Sequence, residues 1–301
     1  MVAYSALGSR LSALGLFLTL LSACREPRAA SREHSFGVDD FGDTIRLSAR
    51  PTRIVSLNPT TTEILFALGA GSRLVGRTTY DQWPDSARLV PDLGAGIRPN
   101  AEAVLAAKPD LVLLYASQDN RPAAQRFRDA GIATAAFKVD RIEQFDRLTR
   151  LLGRLVGDSA RGALVADTVR RTIDSVRALT RGARRVSVVM PTWDEPLLVI
   201  GGGSFMTELV AIAGGRNVYD SLPAPSPSVA LEDIVQRNPE VILLGPESAA
   251  RMRAKPKWRS LPAFRAGRML ILDTARVLRP AVRLGEGAVS LARLLHPELA
   301  R

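Results

Sequence analysis

Cysteine is all but missing from this chain. Cys24 is the only one in 301 residues, so no internal disulfide can form and the fold must hold through its core. Histidine is nearly as scarce: His34 and His296 are the only two, which argues against a His-lined zinc or manganese site and against a Ser-His catalytic pair. The stretch Gly202-Gly203-Ser204-Phe205-Met206 lacks the final glycine of a nucleophile elbow. No G-x-x-x-x-G-K-[ST] loop is present, which excludes the ATPase of a transporter, and Gly201-Gly202-Gly203 does not have dinucleotide-binding spacing. Nothing favours a carboxylate-only glycosidase. The expectation is a protein without catalytic residues or a bound metal. Aromatic residues are few, with 9 Phe, 3 Trp and 4 Tyr. The one N-terminal apolar run, Leu11 to Leu21, is too short for the ~20 residues of a spanning helix.

That run ends in Leu21-Ser22-Ala23-Cys24, which resembles a bacterial lipobox, where the cysteine is lipidated and becomes the first residue of the mature protein. Residues 1–23 are therefore expected to be a signal peptide, Cys24 the lipid anchor, and residues 24–35 a flexible polar tether. The protein is expected in the periplasm or on the cell surface, anchored to a membrane. Its net charge of +11 is mostly arginine, densest in Arg251–Arg259 and Arg181–Arg185. An exported protein meets no DNA in normal work, so no nucleic-acid partner is expected; the basic residues read as solvated surface.

The chain also repeats itself. TEILFALGAGSRL begins at Thr62, and TELVAIAGGRNV begins at Thr207. EAVLAAKPDLVLL begins at Glu102, and EDIVQRNPEVILL begins at Glu232. The order is kept in both halves. In the first half, Arg53–Leu57 reads as a buried parallel strand, Asn58-Pro59-Thr60-Thr61 as a turn, and Thr60, Thr61 or Thr62 as a helix cap. Ile64, Leu65 and Leu68 supply the apolar stripe and Gly69 and Gly71 the stop. In the second half, Leu197–Ile200 reads as the equivalent strand, Gly201–Ser204 as the turn and Gly214-Gly215 as the stop. Each later unit runs helix, Pro-acid, strand: Leu111–Tyr115 and Val241–Leu244. This predicts an α/β fold of two similar lobes with parallel sheets and a ligand cleft between them. The predicted boundaries are 36–157 and 182–301. Residues 158–181 are read as a joining helix, because Val165, Val169, Ile173, Val176 and Leu179 form one stripe.

On these motifs the chain resembles the substrate-binding lipoproteins of ABC importers, in the class III periplasmic binding protein superfamily that takes cobalamin, haem and iron-siderophore complexes. It is most like the cobalamin branch. The carriers are RIVSLNPTTTEILFALGAGSRLVG, TTYDQWP, NAEAVLAAKPDLVLLY, GGGSFMTELVAIAGGRNVY, SVALEDIVQRNPEVILL and LPAFRAGRMLILD. The resemblance implies two Rossmann-like lobes and a shallow cleft that moves little. It further implies a monomer that captures a corrinoid and delivers it to a permease and its ATPase. Haem or a ferric siderophore is the alternative cargo, and a ligand-sensing lipoprotein without a transport role is the alternative of another class. Glu102 and Glu232 match the pair taken to dock onto permease arginines. Tyr80, Trp83, Tyr115 and Trp193 match pocket positions where rings could sandwich a macrocycle. Phe205, Asp273, Arg279 and Arg283 are further ligand candidates. Ser226 stands where relatives often carry an aromatic residue.

Overall fold

The computed structural model describes residues 34–300. The described residues belong to one compact unit, so the two lobes are halves of a single body. The expected signal peptide and the expected lipidation site, Cys24, lie outside the described residues.

The chain opens with a short antiparallel hairpin, β1 (His34–Val38) and β2 (Thr44–Leu47). His34 and Ser35, expected in the tether, pair with Leu47 and Arg46 in this hairpin. The first lobe then runs β3 (Ile54–Leu57), α1 (Pro59–Ala67), β4 (Leu74–Gly76), α2 (Ala101–Ala106), β5 (Leu111–Tyr115), α3 (Arg121–Asp129), β6 (Ala133–Phe137) and α4 (Ile142–Val156). Gly157, in the left-handed conformation at φ +83°, ends α4, and α5 (Ser159–Thr180) crosses to the second lobe. There follow β7 (Val186–Val189), β8 (Pro191–Asp194), β9 (Leu197–Val199), α6 (Phe205–Ile212), β10 (Gly215–Asn217), α7 (Leu231–Arg237) and β11 (Val241–Leu244). The lobe closes with α8 (Pro246–Ala254), α9 (Pro262–Arg265), β12 (Met269–Ile271), α10 (Thr274–Val277) and α11 (Leu284–Leu295).

The two sheets are parallel and share one strand order, β4-β3-β5-β6 in the first lobe and β10-β7-β11-β12 in the second. The equivalent of β3 is therefore β7, and the run Leu197–Ile200 is not. β9 pairs antiparallel with β8 in a separate hairpin inserted between β7 and α6. A four-residue apolar run has no periodicity to tell a hairpin arm from a sheet strand.

The repeated Pro-acid segment has one job in both halves. Lys108 (φ +48°) and Asn238 (φ +44°) take the left-handed conformation that stops α2 and α7, and a proline follows each. The acid after it turns back to the neighbouring strand. Asp110 Oδ2 accepts the backbone N–H of Thr52 at 2.7 Å, and Glu240 Oε1 accepts that of Ser187 at 3.0 Å. The α1 cap is Asn58 rather than a threonine: its side chain accepts the Thr60 N–H at 3.0 Å, while Thr60, Thr61 and Thr62 are buried.

The apolar core runs through both halves. Leu111, Phe137 and Leu152 of the first lobe, Val169, Ile173 and Val176 of α5, and Val188, Leu209 and Leu291 of the second belong to one buried cluster. A 22-residue helix spans about 33 Å, and here its buried stripe packs against α4 and α11, so it acts as a shared beam. No helix among the described residues is long and apolar enough to cross a membrane.

The triple glycine before α6 is required by close packing. A Cβ at Gly201, Gly202 or Gly203 would stand 2.2, 2.0 or 2.1 Å from the carbonyl oxygens of Ala224, Asp220 and Pro223. These contacts are to backbone, which cannot swing aside as a side chain would. Gly202→Ala is expected to cost about 3 kcal/mol or more, read as a fall in the denaturant midpoint at unchanged slope. An unchanged midpoint would mean that the 220–225 segment is free to move.

Candidate functional site

Both sheets turn their C-terminal ends towards each other, which is where open α/β sheets hold ligands. The contacts between halves show it. Arg279 Nη2, beyond the end of β12, donates to the Tyr80 carbonyl at 2.7 Å, and the Arg283 guanidinium lies 4.6 Å from the centre of the Trp83 ring. On the other flank Arg141, beyond the end of β6, donates from Nη1 to the Gly202 carbonyl at 3.1 Å.

Tyr80 and Trp193 stand on opposite lobes and are 60% and 57% exposed, and no other Phe, Tyr or Trp among the described residues is exposed. The Trp193 Nε1–H donates to the Glu195 carbonyl at 3.0 Å, which fixes one edge of the indole. Trp83 is half-buried under Arg283. Tyr115 ends β5, half-buried, and its hydroxyl donates to Asp140 Oδ1 at 3.2 Å. Burial and that carboxylate push its phenol up to about 12. At the C-terminal end of the second sheet a recess of about 390 Å³ is lined by Met190, Leu244, Leu272, Thr274 and Leu278 among others. A separate recess of about 760 Å³ lies among α4, α5 and α6 and carries none of the aromatic candidates.

Other expected ligand residues are placed differently. Phe205 is 9% exposed and packs in the shared core, so its ring offers a ligand little surface. Asp273 pairs with Arg276 at 2.5 Å at the start of α10. Ser226 is exposed in the segment that packs on the triple glycine. Arg283 has a side chain only 12% exposed, held by Trp83 and by Glu63 at 3.6 Å; Arg279, 29% exposed, lies 3.8 Å from the same carboxylate. Glu102 and Glu232 are exposed in the first turns of α2 and α7.

Sequence reasoning missed the acids beneath this site. Glu63 and Asp81 are both 1% exposed. Neither Glu63 carboxylate oxygen has a hydrogen-bond partner, whereas Asp81 Oδ2 accepts from Thr78 N at 2.8 Å and Thr62 Oγ1 at 3.1 Å. Burial raises Glu63 to about 6, against the pull of Arg283 and Arg279. Burial likewise raises Asp81 to about 6, against its hydrogen bonds to Thr78 and Thr62. Their ordinary values are 4.5 and 3.8, so between about pH 4 and pH 6 the folded state holds protons that the unfolded chain has released. The stability these groups contribute is therefore present at low pH and lost as pH rises through 6. Glu63→Gln is expected to remove about 2 kcal/mol of the difference in unfolding free energy between pH 4.5 and pH 7.5. Denaturant titrations at the two pH values check it; an identical difference in both proteins would refute it.

The family described as "Periplasmic binding protein" matches residues 54–275. A vitamin B12-binding protein of Vibrio vulnificus (strain CMCP6) is 23% identical over 242 residues, covering 80% of this chain and 89% of that protein. The uncharacterized ABC transporter substrate-binding lipoprotein YvrC of Bacillus subtilis (strain 168) is 25% identical, covering 95% of this chain and 96% of that protein. Among solved structures, the periplasmic haem-binding protein RhuT of Roseiflexus sp. RS-1 superposes with a TM-score of 0.75 at 25% identity, covering 83% of this chain and 99% of that one.

Proposed function

This chain belongs to the periplasmic binding protein family, and on that premise we propose that it captures a corrinoid between its two lobes and presents it to an ABC transporter permease. One observation carries the ligand reading: the only exposed aromatic rings among the described residues, Tyr80 and Trp193, stand on opposite lobes. Exposed rings are costly in water and serve well where a broad, flat ligand is stacked. A corrin ring offers such faces, and the apolar recess beneath Leu278 and Met190 can take its alkyl edges. The vitamin B12-binding relative supports the same cargo.

The work is capture and release, without bond-making. The shared core and α5 hold the lobes nearly fixed, so binding costs little reorganisation. Glu102 and Glu232, at the starts of equivalent helices, are the surface groups for the permease. Cys24 carries the lipid that keeps the protein at the membrane, a reading supported by the lipoprotein relative. The halves correspond to residues 36–157 and 182–301 joined by 158–181, and the protein acts as a monomer.

Haem or a ferric siderophore is the second reading. It is favoured by the likeness to a haem-binding protein and by Ser226, which puts a small hydroxyl where a third ring would close over a corrin. Incubating the protein with hydroxocobalamin, hemin or a ferric hydroxamate and then desalting separates the readings. The corrin absorbance bands should travel with the protein; a spectrum carrying only haem or ferric-chelate bands would replace the corrinoid by the second reading.

A further inference from the structure

Glu63 and Glu208 occupy the same place in the repeat, each following a threonine in the first turn or two of α1 and α6. Each reaches an arginine of the other half. Glu63 Oε1 is 3.6 Å from Arg283 Nη2 and 3.8 Å from Arg279 Nη1. Glu208 pairs with Arg141 Nε through Oε1, and its Oε2 accepts the Ile142 N–H at 3.0 Å. Arg283 stands at the N-cap position of α11, and Arg141 at that of α4. Because β12 and β6 hold the same place in their sheets and α11 and α4 follow them, the two contacts stand at matching places with the lobes exchanged.

We propose that Glu63 and Glu208 are reciprocal latches, positioning residues that fix the angle between the lobes and so the spacing of the walls that face the ligand. Two features single this out from ordinary packing. The latches reach different segments, one beside the loop of Tyr80 and Trp83 and one beside the triple glycine, so with α5 the lobes are tied at three separate places. Each also grips an arginine that holds the cleft wall itself: Arg279 the Tyr80 carbonyl, Arg283 the Trp83 ring and Arg141 the Gly202 carbonyl. The halves differ in burial. The Glu63 side chain is 2% exposed and its partners 12% and 29%, whereas Glu208 is 23% and Arg141 44% exposed. A charge as buried as Glu63 adds little net stability, and holding one geometry is the use assigned to it here. That fits a protein whose task is to hold a gap at one width.

The inference uses the two-lobed reading but not the identity of the cargo, so it is tested on ligand-free protein. Spin labels are placed on the full chain carrying Cys24→Ser, at Leu89→Cys in the first lobe and Ala250→Cys in the second, both exposed positions. Electron double resonance then reads the inter-lobe distance distribution. Glu208→Arg is expected to shift or at least double the width of that distribution. Adding Arg141→Glu, which restores the opposite charges in reverse, is expected to return it to the parent width. Glu63→Gln is expected to broaden it in the same way; if that variant does not fold, the Glu208 and Arg141 pair decides alone. Equal distributions in the parent and the single variants, or no recovery in the swapped pair, would overturn the proposal. A separate titration with hydroxocobalamin tests the cargo, so that loss of one reading leaves the other standing.

Discussion

Replacing Glu102 and Glu232 together by alanine is expected to abolish transport-dependent uptake while leaving ligand affinity in solution unchanged. The two glutamates are exposed and begin equivalent helices in the two halves. The Glu102 side chain is 84% exposed, and its one ion pair, with Arg126 at 3.8 Å, is long and fully wetted. Such a pair contributes little to the fold. The helix dipole adds a few tenths of a kcal/mol to about 1 kcal/mol at each site. The double variant should therefore fold and bind normally. A docking contact behaves otherwise. Under the proposed docking role, carboxylates meeting guanidinium forks fix orientation, and losing both removes the register on the permease. Uptake of labelled ligand by cells carrying the variant, beside calorimetry on the purified protein, checks both halves of the expectation. Normal uptake would remove the docking role; weakened affinity would move the glutamates into the ligand site.

The second large effect concerns the rings. Tyr80→Ala with Trp193→Ala is expected to weaken ligand binding about a hundredfold. Stacking on an aromatic face contributes about 0.5–1.5 kcal/mol beyond the area it buries, the lost apolar contact adds to that at each ring, and each 1.4 kcal/mol is a factor of ten in affinity. Both rings are more than half exposed, so truncating them opens no cavity in the core. The contacts that shape the two segments survive the change: Arg279 binds the Tyr80 backbone carbonyl, not its ring, and β8 keeps its pairing with β9. Affinity within threefold of the parent would show that these rings do not touch the cargo.

The architecture was legible because the chain states it twice. Repeated Pro-acid segments signalled equivalent strands, and the structure gives both sheets one strand order. The β8–β9 hairpin was not legible, since Leu197–Ile200 is as apolar as a buried parallel strand and turns out to pair antiparallel with β8. The Asn58 cap was hidden by three adjacent threonines, any of which has the chemistry of a cap. Four aromatic candidates followed from the family resemblance, but exposure separates them: Tyr80 and Trp193 are open to solvent, whereas Trp83 and Tyr115 are committed to Arg283 and Asp140. The latches were the least visible. Glu63 and Glu208 read as helix residues inside the repeat, and the arginines they meet lie far along the chain, in segments whose similarity is one of place and not of sequence. A short-range reading registers the repeat but not what each copy grips.

The central claim is that a corrinoid lies between two aromatic walls held at fixed spacing. Calorimetric titration of the protein with cobalamin, cobinamide, hemin and a ferric siderophore tests it most directly. One corrinoid is expected to bind per chain, more tightly than the other ligands, with most of that affinity lost in the Tyr80→Ala, Trp193→Ala variant. Heat from hemin or the siderophore with none from either corrinoid would contradict it, as would corrinoid binding indifferent to both rings.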